Sequence, residues 1–439
     1  MSKDQRIRDP IHNLIKFSSA DPTDVLLWEI IQTKPFQRLR RIRQLGFSEF
    51  VYPGATHSRF AHCVGALQMA RRMFEVLEKN QVLKDRDELE VMKPATLAAV
   101  LLHDIGHGPY SHVFEEVSES IGRGAHISHE EYTHKILHET KIEKILSKAG
   151  ILELTASFFE HDPKPTAYSS IVSSQLDADR LDFLTRDRYF TGIQFGSIDR
   201  EWLFDSLRID DITINVEPLE RRPSFVVTQK GLPVLEEYLS SYAKLYESVY
   251  FHKTTRGIQI LVDSALKLAL NDLAALREAG ISSAIIDHFQ SPAAKRLSSY
   301  LTMDDADVIV LLKALSNTKT LGESSKFAQR FFERDVLACL EPSDPNHSFD
   351  RQKIGLLRDQ LVTKKIWHHI DIPSSKGYKQ YDLLNEQFLK NIMVAPSVGS
   401  ARPIGEIKPD ALKSTAQRCR FYFLNEPDKL RAEKLWRGL

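Results

Sequence analysis

The sequence predicts a mainly α-helical chain with a small β-hairpin and an α-rich C-terminal extension. Three observations carry this. A run from about Ser58 to Leu77 repeats apolar residues at three- and four-residue intervals, PATLAAVLLHD from Pro94 is apolar on nearly all sides, and strand-like runs occur only at Ile212–Val216 and Ser224–Thr228. The 439 residues hold 59 Lys and Arg against 59 Asp and Glu, with 42% hydrophobic and 27% charged residues. That composition suits a soluble folded protein, and the zero net charge disfavours a globally basic nucleic-acid coat or an acidic tail. Cys63, Cys339 and Cys419 are too scattered for a disulfide framework and point to a reducing cytoplasm. No apolar run approaches the roughly 18 residues of a spanning helix, and MSKDQRIRDPIH lacks a signal-peptide core. A cytoplasmic protein without membrane contact is expected.

Residues 24–45 read as helical with a break near Pro35 and a C-cap at Gly46. The turn VYPGATHSRF precedes the 58–77 helix. The third helix opens at Pro94, tolerated in a first turn, and is the expected buried centre of a bundle. Gly106, Gly108 and Pro109 break it just after His103 and Asp104. SIVSSQLDADRLDFLTRD, 170–187, reads as one helix, EPLERRP as a hairpin turn, and 231–276 as helical again. The chain divides into a core, 1–275, and an extension, 276–439, expected to serve oligomer contacts and regulation.

Seven of the 16 histidines fall between His103 and His138. His62 on the second helix, His103–Asp104 at the end of the third, and Asp177 with Asp179 form a mixed nitrogen and oxygen donor set. Such a set suits Mn, Fe, Zn, Ni or Mg and excludes a soft thiolate site. A charged aspartate at the end of a buried apolar helix is costly unless paired or coordinated, which gives a cation a physical motive. A His–Asp capping pair with unrelated acids is the bland alternative.

IRDPIHNLIKF, PFQRLRRIRQLG, YPGATHSRFAHCVG, LLHDIGHGPYSH, SHEEYT, QLDADRLDFLTRD and YFHKTT occur in order from residue 7 to about 255. In these stretches the sequence resembles the HD-domain deoxynucleoside triphosphate triphosphohydrolases, the group of bacterial dGTPases and the animal dNTPase with a sterile-alpha-motif domain. The match starts almost at Met1, so no sterile-alpha-motif domain is expected ahead of it. The resemblance implies an HD-domain helical bundle that hydrolyses dGTP or other dNTPs to deoxynucleoside and triphosphate. It implies metal ligands His62, His103, Asp104 and Asp179, leaving Asp177 to support the ligands or the helix. It places Gln44 and Leu45 against the deoxyribose, Asp187 on the 3′-hydroxyl, and Arg59, Arg180, Tyr250 and Lys253 on the phosphates. His107, His112 and His129 surround the α-phosphate with Glu115 and Glu130 behind them. His112 backed by Glu115 is the expected proton donor, because an imidazole of ordinary pKa titrates near neutrality and an acid behind it supports the cation.

Departures from the pattern matter. Arg180 replaces a lysine, Phe183 a tyrosine, and Tyr242 a phosphate-gripping arginine, so a substrate with fewer phosphates, or another nucleotide or phosphomonoester, stays open. Gln37 and Arg40 match an activator-nucleotide site, but Gln32 stands where a carboxylate reads guanine. Arg38, Arg41 and Arg43 are read as a solvated helix face, and His57 as orienting the turn before Arg59. The arginine-rich 38–43 segment also supports a nucleic-acid-binding alternative with a regulatory HD site, which the neutral charge disfavours. A homotetramer or homohexamer is implied by the resemblance.

Overall fold

The computed structural model describes residues 1, 3–80, 86–121, 128–160, 166–214, 220–342, 350–373, 390–409 and 418–439. His126 lies outside them, as does the side chain of His112. Helices dominate the described residues, as the periodicity predicts. The central one, Arg59–Lys79, is capped by Ser58, whose hydroxyl accepts from Ala61 N. Cys63, Val64, Leu67, Ala70, Met73, Phe74 and Leu77 are all buried in the main core, and a fully buried side chain of the larger kind stabilises by about 1.5–3 kcal/mol. Helices Ala178–Thr191 and Arg86–Leu102 pack against it.

Several expected boundaries move. The third helix spans Arg86–Leu102, with Pro94 in its interior rather than its first turn. The run expected over 170–187 is two helices, Ala167–Val172 and Ala178–Thr191, because Asp177 turns extended and accepts from Arg180 N as the N-cap of the second. Residues 24–45 resolve into Pro22–Ile31, Lys34–Arg38 and a 3₁₀ turn Leu39–Arg41, after which Ile42 is extended.

The sheets were only partly foreseen. β1 (Gln5–Asp9) and β2 (Asn13–Phe17) form an antiparallel hairpin with Ile7 opposite Ile15. β3 (Leu207–Ile214) and β4 (Glu220–Thr228) are the expected hairpin, and β4 continues through parallel β7 (Met393–Ala395) to β8 (Arg402–Pro403). β9 (Arg420–Phe423) lies between β5 (Ala338–Leu340) and β6 (His369–Asp371).

A second core joins Phe47, Tyr110, Phe114 and Val117 to Ile258, Leu261, Leu311, Phe327 and Phe331, so packing runs continuously across residue 275. Helix Lys253–Asn271 is its axis, packed against both His112–Ile121 and Glu323–Glu333. The FAQRFFERD stretch sits largely in the latter, with Phe327 and Phe331 buried. No described helix is long and apolar enough to cross a membrane.

His288 is buried in this second core against Phe114 and Tyr300, its Nδ1 2.9 Å from Ser299 Oγ. Burial, aided by Arg296, lowers its pKa to about 4. The unfolded chain therefore binds a proton near pH 6.5 that the folded chain refuses, and stability is lost as pH falls from 6.5 toward 4. At pH 4 the His288→Phe variant is expected to have lost on the order of 2–3 kcal/mol less than the parent, read from urea unfolding at pH 7 and pH 4. Equal losses in the two proteins would contradict this assignment.

Candidate active site

Two helices and one helix end bring the four expected ligands together. His62 lies one turn into Arg59–Lys79, His103 and Asp104 follow Arg86–Leu102, and Asp179 lies in the first turn of Ala178–Thr191. His62 Nε2 is 3.1 Å from His103 Nε2, 2.9 Å from Asp179 Oδ1 and 3.8 Å from Asp104 Oδ2. His103 Nε2 is 3.5 Å from Asp179 Oδ1 and 3.6 Å from Asp104 Oδ1. His62, His103 and Asp104 form a group whose ligand atoms can hold one metal ion.

The ring orientations are set from behind. His103 Nδ1 lies 2.7 Å from Val100 O, which can only accept, so Nδ1 carries the hydrogen. His62 Nδ1 donates to Asp182 Oδ2 at 2.8 Å. Both Nε2 lone pairs then face each other, and only a shared cation, a proton or a metal ion, makes that contact favourable. Burial would lower the His62 imidazole, but Asp179 and Asp182 outweigh it and raise its pKa to about 10. Burial would also raise the Asp104 carboxyl, yet Arg59, His103 and His107 hold it well below the usual range. The donor set fits a divalent cation such as Mn, Fe, Zn, Ni or Mg.

Asp182 escaped the sequence reading. It is buried and receives His62 Nδ1, His12 Nε2 at 2.6 Å, and Arg186 Nε and Nη2 at 2.8 and 3.0 Å. Arg186 reaches on to Asp9 at 2.8 Å. This network requires Gly65, since a Cβ there would stand 2.1 Å from Asp182 Oδ1 and 2.2 Å from Arg186 Nη2.

The loop after the ligand pair carries the phosphate-side candidates. Gly106 lets it approach helix His129–Glu139, where an added Cβ would lie 2.0 Å from His129 O. His107 Nε2 is 3.3 Å from Asp104 Oδ1, and its ring stacks on His129 at 4.3 Å. Burial, then Arg59, lowers His107 to about 3, so it is neutral near pH 7. Burial opposes charge on His129 too, but Glu115 prevails and raises its pKa. Glu115 Oε1 accepts from His129 Nδ1 at 2.9 Å and from His129 N at 3.0 Å, and Glu130 Oε1 is 3.3 Å from His129 Nε2. The expected His112–Glu115 pair falls outside the described side chains, whereas His129–Glu115 falls within them. Tyr110 and Ser111 adopt left-handed φ of 48° and 51°, a conformation of order 1–3 kcal/mol per residue for non-glycine side chains that concentrates at functional sites.

Arg59 connects the cluster to a cavity of about 330 Å³. It pairs with Asp104 through Nη1 and donates through Nε to Ser111 Oγ at 2.9 Å. Gln44, Leu45, Arg59, Asp187 and Tyr250 all line the cavity, joined by Phe47, Tyr110, Phe183, Tyr246, Thr255 and Gln259. Asp187 accepts from His57 Nε2 at 2.7 Å and Tyr250 Oη at 2.6 Å, so His57 supports Asp187 rather than merely shaping a turn. A single π-helical turn, Tyr246–Tyr250, presents Tyr246 and Tyr250 to this space.

Other candidates lie elsewhere. Arg180 does not line the cavity; it is paired with Asp177 and bonded to Ser174 O. Lys253 is exposed at the start of its helix and also lies outside the lining. Arg40 is exposed, stacked over Phe60 at 3.5 Å with Nε donating to Gln37 Oε1 at 2.8 Å. Arg38 corrects the expectation of a solvated arginine face: it is 1% exposed and donates to Met303 O and His107 O.

The HD-domain family model matches residues 59–185, which span all four clustered donors. An uncharacterised protein of Bacillus subtilis, YwfO, is 32% identical over 390 residues, covering 87% of this chain and 82% of its own. The deoxynucleoside triphosphate triphosphohydrolase SAMHD1 of Bos taurus is 26% identical, over 77% of this chain and 63% of its own. A crystal structure of a phosphohydrolase from Bacteroides thetaiotaomicron superimposes with a TM-score of 0.71 at 25% identity, over 96% of this chain and 100% of that one. The clustered donors, the matched region and the extent of these alignments agree that the chain belongs to the HD-domain phosphohydrolase family.

Proposed function

We propose that the chain hydrolyses deoxynucleoside triphosphates to deoxynucleoside and inorganic triphosphate. The observation that carries this reading is the cavity itself. One space of about 330 Å³ is lined by Gln44, Leu45, Asp187 and Tyr250 and bounded by Arg59, which is bonded to the ligand Asp104. A sugar against Gln44 and Leu45, its 3′-hydroxyl on Asp187, sets the α-phosphate toward Arg59 and His62, His103, Asp104 and Asp179. A metal held by those four supplies Lewis acidity and a nucleophile from water at neutral pH. Arg59 balances phosphate charge, and His107 stays neutral as a hydrogen-bonding partner. His129, whose pKa Glu115 raises against burial, stands with His112 as the candidate donor to the departing oxygen. The SAMHD1 relatives, named as deoxynucleoside triphosphate triphosphohydrolases, support the reading.

A second reading has its own observation. Arg180 is occupied by Asp177 and Lys253 lies outside the cavity lining, which leaves Arg59 and Arg256, the latter paired with Asp371, as the cations that line it. That favours a nucleotide with fewer phosphates, or a phosphomonoester. The test incubates metal-loaded protein with each deoxy- and ribonucleoside mono-, di- and triphosphate, singly and mixed, and separates the products by ion-pair chromatography. Nucleoside plus triphosphate supports the first reading. Release of orthophosphate only from shorter substrates supports the second, and monophosphate plus pyrophosphate contradicts both.

A further inference from the structure

The C-terminal extension touches the active-site loop directly at Gly106 and Tyr110, and through Arg38 at His107. Tyr300 Oη donates to Gly106 O at 2.7 Å. Arg38 bridges the two, donating through Nη2 to His107 O at 2.9 Å and through Nε to Met303 O at 2.8 Å, with its guanidinium over the Tyr300 ring. Asp305 Oδ1 accepts from Tyr110 N and its Oδ2 from Arg43 N, both at 2.7 Å. Asp304 adds an ion pair to Arg41. All of these contacts join residues at least 190 positions apart, apart from the Arg38 bond to His107.

Tyr110 and Ser111 are consecutive left-handed residues without glycine, a backbone that persists only where its surroundings over-determine it. Its consequence is the aim of two side chains: Ser111 Oγ onto Arg59 Nε, and the Tyr110 ring stacked on Phe47 at 4.0 Å in the cavity wall. Burial raises the Asp305 carboxyl to about 6 against the opposing pull of Tyr110 N, Arg43 N and the Arg43 and Arg59 charges. At neutral pH it is therefore ionised, with both oxygens available as acceptors.

We infer that Asp305, with Tyr300 and Arg38, forms a positioning clamp that holds the left-handed Tyr110–Ser111 turn and so aims Arg59 at the reacting phosphate. The extension then completes the catalytic cleft of its own chain, beyond any part it takes in oligomer contacts. The inference rests on the proposed hydrolytic reading for its kinetic consequence, and on geometry alone for its structural one.

Asp305→Asn keeps the shape of the side chain but turns an amide N–H₂ toward one of two backbone N–H donors. The expected result is faster amide hydrogen exchange in the peptide containing residues 106–111, with a melting temperature near that of the parent. On a hydrolysed nucleotide, kcat/KM should fall about 10-fold or more, and Asp305→Asn combined with Arg59→Lys should be little worse than Arg59→Lys alone. Tyr300→Phe, which removes the bond to Gly106 O and the hydroxyl's interaction with Arg38, gives a milder change in the same two readouts and serves if the asparagine variant does not fold. Unchanged exchange over 106–111 in a folded variant, or strictly additive kinetic losses, would overturn the clamp. If the parent hydrolyses no nucleotide, the functional reading fails while the exchange measurement still decides the clamp.

Discussion

Asp182→Asn is expected to weaken metal binding 10- to 100-fold while leaving His62, His103, Asp104 and Asp179 in place. The carboxylate accepts from His62, His12 and Arg186 at once. Burial would raise its pKa, but Arg186, His12 and His62 hold it well below the ordinary range. An amide has one acceptor oxygen where the network uses two, so the His62 tautomer and ring angle are released. Asp182→Ala goes further and leaves the Arg186 guanidinium, 0% exposed along its side chain, with Asp9 as its remaining carboxylate. Breaking a buried pair in this way costs about 3–5 kcal/mol. Metal per chain after dialysis against a weak chelator, with urea unfolding of both variants, checks the two effects. Wild-type metal content in Asp182→Asn would show that orientation from behind is unimportant here.

Asp104→Ala has the larger kinetic consequence. It removes one donor from the cluster and one partner from Arg59, whose Nη1 is bonded to it. Loss of Lewis-acid assistance is worth several kcal/mol, and each 1.36 kcal/mol is a factor of ten, so turnover should fall by about 10³-fold or more. Bound metal should fall with it. Retained metal together with retained turnover would remove Asp104 from the site and overturn the cluster as the reaction centre.

The balance between what was legible in the chain and what was not has a physical pattern. His62, the His103–Asp104 pair and Asp179 stood out because their chemistry is unusual for the helices that carry them, and the fold brings them together. A charged acid at the end of an apolar run asks for a partner wherever the fold puts one. The layer behind them carries no such local mark. His12 and Asp182 are 170 positions apart, and neither is odd in its own neighbourhood. Arg38 shows the converse error. RLRRIR looks like a wet basic face, yet Arg38 is buried by Met303, 265 positions away. The hairpin of β1 and β2 was missed because each strand is only five residues long and the turn through residues 10–12 leads into Asn13, which takes a left-handed φ of 60°. The break at Asp177 was missed although aspartate favours N-caps, because apolar residues recur on both sides of it and only the cap geometry separates the two helices. Lys253 matched a motif and Arg180 stood in place of its lysine, but local pairing and helix position keep both out of the cavity wall.

The central claim is that water attacks the α-phosphorus of a deoxynucleotide held between Asp187 and the four-donor cluster and expels the nucleoside 5′-oxygen. Turnover of a deoxynucleoside triphosphate in oxygen-18 water tests it most directly, with mass spectrometry of both products. The account predicts one heavy oxygen in the released triphosphate and none on the 5′-hydroxyl of the deoxynucleoside. Label on the nucleoside, or a labelled monophosphate released with pyrophosphate, would contradict it.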